Sequence, residues 1–74
     1  MTVMQMKQQT YTAVIFREED LFVAECPEVG TVSQGGSIEE AVENLKEATE
    51  LYLEEFPPGE TTHPLITTFQ VTHA

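Results

Sequence analysis

Ser37-Ile38-Glu39-Glu40, placed directly after Gly35-Gly36, constrains this chain more than any other stretch. Ser-x-x-Glu is a capping box: the serine hydroxyl accepts from the amide three residues on, and the glutamate carboxylate reaches back to the serine amide. From there Ile38, Ala41, Val42, Leu45, Thr49, Tyr52 and Phe56 recur at steps of three and four, the spacing of one helical face. Pro57-Pro58-Gly59 stops the run. The pattern predicts a helix over about 38–56. A helix with a single apolar stripe must bury it against another layer, so the rest of the chain has to supply that layer.

It does so with strands. Residues 9–17 are rich in Thr, Tyr, Val, Ile and Phe, and Glu18-Glu19-Asp20 is a polar break of hairpin length. A second β-prone run, 21–26, stops at Pro27, and a third, 29–34, lies between Pro27-Glu28 and Gly35-Gly36. The last, 65–72, follows the helix and the His63-Pro64 loop. The order is βββαβ in a single α+β domain spanning 1–74. Two hairpin reversals and a right-handed crossover predict a four-stranded mixed sheet of order 3-2-1-4, with the helix on one face. A chain of 74 residues buries only about 60% of its unfolded surface, so its core is thin.

Two surfaces stand out. A strand open to water on one side should alternate apolar and polar residues. Ala13-Val14-Ile15-Phe16 and Leu21-Phe22-Val23-Ala24 do not. The helix covers one face only, so the other face is expected to self-associate, through Val14, Phe16, Leu21 and Val23, with Leu51 a further anchor off the helix's apolar stripe. A homo-dimer or tetramer is the expected state. The second surface is acidic. At about 100° per residue, Glu39, Glu40, Glu43, Glu47, Glu50 and Glu54 share one arc of roughly 100°. Such a stripe serves solubility or docks a basic partner, and the residues leave both readings open.

Composition sharpens the second reading. Thirteen acidic residues against three basic ones give a net charge of −10. Nucleic-acid binding depends on Lys and Arg neutralising phosphates, so direct binding to DNA or RNA is not expected; a basic protein is the better match. Cys26 is the only cysteine, which excludes an internal disulfide and cysteine-pair zinc sites and suits a reducing cytoplasm. The N-terminus has no continuous apolar stretch of the signal-peptide kind, and no run approaches the ~20 residues that span a bilayer. Catalysis is not expected. Gln9 to Phe16 and the last strand contain no acid, the helix acids face outward, and His63 and His73 lack partners at metal-ligand spacing. Cys26 reads as a small buried hydrophobe. No catalytic residue, metal or cofactor is predicted.

Three stretches are similar to a known family. Tyr11-Thr12-Ala13-Val14-Ile15, then Cys26-Pro27-Glu28-Val29-Gly30-Thr31-Val32-Ser33-Gln34-Gly35, then Ser37-Ile38-Glu39-Glu40-Ala41-Val42-Glu43-Asn44-Leu45-Lys46-Glu47-Ala48 resemble the HicB-like antitoxins. The likeness runs from Tyr11 to about Phe56. It implies a partial ribonuclease-H-like fold without the catalytic acids. It also implies a role: neutralising a small basic HicA-like mRNA interferase, the toxin of a type II toxin–antitoxin pair, by covering its active site. Homo-oligomers are usual in the family. The chain departs from the family at Asp20-Leu21, where Asp-Gly is frequent, and at Gly36. It also ends without the C-terminal DNA-binding domain of many members, so operator binding is not expected. The rival expectation is a stand-alone oligomeric or scaffolding domain without a toxin partner.

Overall fold

Turn chemistry sets the sheet. A computed structural model of the chain describes residues 9–57 and 64–74. Strand β1, Val14–Glu18, pairs antiparallel with β2, Leu21–Cys26, with Glu18 opposite Leu21, so Glu19-Asp20 is a two-residue hairpin loop. Glu19 takes a φ of 53°, the left-handed conformation that a two-residue hairpin demands and that glycine or asparagine adopts more cheaply. Pro27 ends β2. The chain then reverses over 27–30, where the Gly30 amide donates to the Cys26 carbonyl at 2.7 Å and Gly30 has a φ of 85°. Strand β3, Thr31–Gly35, returns antiparallel to β2.

Helix α1, Ile38–Glu55, begins at the predicted cap: the Glu40 amide donates to the Ser37 Oγ at 3.1 Å. It closes with the Phe56 amide on the Tyr52 carbonyl at 2.8 Å. α1 packs across β3 and β2. Gly35 makes that approach possible, because a Cβ there would lie 2.6 Å from the Ala41 amide nitrogen and 2.9 Å from Glu40. The buried core is small: Ala24 and Cys26 from β2, Ala41 and Leu45 from α1, with Tyr11, Ile15, Phe22 and Val29 packed around them. Thr49 is the buried polar residue of this layer, and its hydroxyl is satisfied by Thr31 at 2.7 Å. Asn44 ties the helix to the outer strand by donating to the Gln34 carbonyl at 2.8 Å.

The α+β class and the meander followed by a helix are as the sequence predicts; the four-stranded sheet is not. Among the described residues the sheet has three strands, in the order β1-β2-β3. Residues 65–72 form no strand, and every described residue from Pro64 to Ala74 is exposed. Apolar alternation records that a segment has two faces, not which sheet edge receives it. The first strand is also shorter than 9–17. Val14 opposes Glu25, so residues before Ala13 would meet the chain beyond Cys26, where it turns away at Pro27. β3 begins at Thr31 instead of 29 because Val29 and Gly30 belong to the turn. The helical stripe is wider than the sheet beneath it: Ala41, Leu45 and Thr49 are buried, but Ile38, Val42, Tyr52 and Phe56 remain exposed.

Candidate interaction surfaces

Cross-strand partners share a face of the sheet, so the register sorts the side chains. Ile15, Ala24 and Ser33 align beneath the helix, as do Arg17, Phe22 and Gly35. Arg17 lies over the Phe22 ring, its guanidinium carbon 5.9 Å from the centroid. The opposite face carries Val14, Phe16, Leu21, Val23 and Val32, with Glu18, Glu25 and Gln34 interspersed. The four sheet residues proposed from the sequence for self-association therefore lie on one face. Phe16, Leu21 and Val32 there are exposed, and no element of the chain covers them among the described residues. Val32 was not singled out by sequence reasoning, since Thr31-Val32-Ser33 alternates as a half-solvated strand should. Leu51 is exposed on α1 and does not join this face.

The helix holds the second surface. Glu39, Glu40, Glu43, Glu47, Glu50 and Glu54 are all exposed along Ile38–Glu55. The first turn is acidic, where the helix dipole favours negative charge, and the last turn has no basic residue to complement it.

A third feature was not visible in the sequence. Between the segment 9–13 and α1 lies a cleft of about 570 Å³. Tyr11, Ala13, Val42, Leu45 and Leu53 give it a mainly apolar wall, and Lys46 and Glu50 stand among its lining residues. It exists because α1 sits over β2 and β3, leaving the β1 side of the helix without a strand beneath it.

Glu28 ties together two residues that line the cleft, Thr12 and Cys26. Its carboxylate accepts from the Thr12 amide at 2.9 and 3.1 Å, from the Thr12 hydroxyl at 2.9 Å and from the Cys26 thiol at 3.4 Å. Desolvation would push the carboxyl up, but these hydrogen bonds together hold it below the usual carboxylate range. Burial pushes the Cys26 thiol up, and the charge and hydrogen bond of Glu28 add to that. The group is a latch between the β2–β3 turn and the segment before β1. The sequence placed Glu28 in a turn after Pro27 but gave no sign that it reaches back sixteen residues to Thr12.

Cys26 is buried, as its sequence context suggested. His73 is exposed, and His63 lies outside the described residues. Among the described residues no three His, Cys, Asp or Glu side chains converge in a way that could hold a metal ion. None of their helices is long and apolar enough to cross a membrane.

These features define a small meander-and-helix protein whose distinctive chemistry lies on its surfaces. It is similar to a UPF0150 protein of Helicobacter pylori strain J99, with 55% identity over 42 residues. The aligned region covers 55% of this chain and 58% of that protein, so the chain spans little more than half of its relative's length. No family model matches the chain, and no solved structure does.

Proposed function

We propose that this chain is a protein-binding antitoxin that neutralises a small basic mRNA interferase of the HicA kind by covering its active site. The observation that carries this reading is the exposed carboxylate face of α1. Successive acids one turn apart, such as Glu39, Glu43 and Glu47, repeat about every 6 Å along a rigid rod. A ribonuclease active site must be basic to hold RNA phosphates. A fixed row of carboxylates competes for the same cations without offering a scissile bond. The resemblance to HicB-like antitoxins over residues 11–56 supports the same reading. In it the chain is not an enzyme and needs no cofactor, and it contacts the toxin instead of nucleic acid.

A second reading is a stand-alone oligomeric or scaffolding module. The uncovered apolar face of Val14, Phe16, Leu21, Val23 and Val32 favours it.

Co-expression with a small basic protein encoded beside it tests the first reading: growth rescue and a stable complex support it, and unrelieved toxicity without a complex overturns it. Within such a complex, changing Glu43, Glu47 and Glu50 together to Gln is expected to slow association by about 10-fold or more at low ionic strength. The difference should shrink at high salt, as stopped-flow fluorescence would show. An unchanged rate at low salt would mean that α1 is not the docking face.

A further inference from the structure

The cleft between segment 9–13 and α1 and the segment after residue 64 have complementary needs. β1 pairs with β2 on one side only, and its other edge has no strand next to it among the described residues. A free edge presents unpaired N–H and C=O groups, which favour addition of another strand. Along the segment that leads into β1, the cleft offers Tyr11, Ala13, Val42 and Leu53.

The C-terminal segment has the pattern of the strand this edge lacks. Read as a strand, it places Leu65, Thr67, Phe69 and Val71 on one face and Ile66, Thr68, Gln70 and Thr72 on the other. Eight residues of strand span about 26 Å, close to the length of roughly 27 Å of the 18-residue helix they would lie beside. Yet the segment does not occupy its own cleft. Leu65, Ile66, Phe69 and Val71 are 98, 65, 84 and 68% exposed. The radius of gyration is 15.5 Å, with a long axis of 65 Å. A compact chain of this length would have a radius of about 11 Å. The segment leaves its apolar side chains in water.

Charge and exposure together point to the occupant. Residues 64–74 contain no Asp, Glu, Lys or Arg, whereas the whole chain carries −10. Two such acidic bodies repel each other, and an uncharged segment whose apolar side chains are exposed can approach another copy without that opposition. We infer that residues 65–72 of one copy add as a fourth strand along β1 of a second copy and fill its cleft, and that the exchange is reciprocal. The sheet order 3-2-1-4 is then completed between two chains. This dimer does not depend on toxin binding. It also differs from one closed through Phe16 and Val23, because the contact is at the sheet's edge and under the helix, not on its open face.

The test uses the full-length chain. Equal amounts of ¹³C-labelled and unlabelled protein are unfolded, mixed and refolded, then examined by sedimentation equilibrium and isotope-filtered NOE spectroscopy. The expected result is a dimer with inter-chain NOEs from Phe69 and Val71 to Val42 and Leu53. A monomer whose segment docks in its own cleft would overturn the proposal, as would a monomer with the segment free or a dimer whose inter-chain NOEs join only the open sheet faces. Phe69→Lys gives a second readout. Phe69 lies outside the folded body, so helical circular dichroism should be retained while dimer affinity falls by at least about tenfold. Undiminished affinity in that variant would also count against the exchange.

Discussion

Glu28 gathers two donors from Thr12 and one from Cys26 on a single half-buried carboxylate, and its charge is stabilised as a result. The consequence for pH has a definite sign. A carboxyl whose folded value lies below its unfolded one binds fewer protons when folded, so its contribution is complete above the ordinary glutamate range. It is lost as pH falls through that range and then through the lower folded value. Urea denaturation from neutral pH into the acid range should therefore show stability declining across this window. Glu28→Gln should lower stability at neutral pH by about 1–2 kcal/mol, because charged hydrogen bonds become neutral ones. It should also flatten the decline, and an equally steep decline in the variant would assign it to other groups. Nothing at the sequence level marks this pairing, since positions 12 and 28 meet only once β2 has turned at Pro27.

Elements were legible to the extent that local chemistry defines them. The Ser37 cap, the three- and four-residue apolar steps and Pro57 place α1 within a residue of its observed ends. Pro27 and the polar Glu18–Asp20 break likewise delimit β2. What escaped depended on partners remote in sequence. The half of the first strand before Val14 lacks a neighbour once β2 ends, and its Thr12 amide turns to a side chain instead. Val42 looked like an ordinary stripe position and Leu53 lay outside the stripe, and their cleft appears only when the helix is seated over β2 and β3. That seating rests on Gly35. Gly35→Ala would force α1 away from β3, since its Cβ meets main-chain atoms that cannot rotate aside. A loss of about 1–3 kcal/mol is expected from thermal or urea unfolding, in line with overpacked cores. Gly36→Ala, a neighbour with open space around it, serves as the control.

Across the whole molecule, charge and core size pull against each other. A chain carrying −10, with four buried apolar residues at its centre among the described residues, spends part of its stability on self-repulsion. Raising sodium chloride from about 0.01 M to about 0.15 M shortens the screening length from about 30 Å to about 8 Å. The urea midpoint should rise over that interval. It should rise less when Glu43, Glu47 and Glu50 are replaced by Gln, because much of the repulsion along α1 is then gone. An invariant midpoint would mean that the carboxylates are too well solvated to sense one another. The whole-chain fold was the least legible level, because the β-prone residues of 65–72 suggest a strand, yet among the described residues they form none.

The single thiol of the chain lies at the centre of this core, 1% exposed, with its proton held on by burial and by Glu28. Thiolate, not thiol, attacks disulfide reagents, so Cys26 is expected to react slowly while the sheet is closed. Cys26 also lines the cleft beside segment 9–13, so its rate of modification reports how often that region opens. The protein thus carries its own internal clock for breathing, readable without a dye, a tag or an added residue.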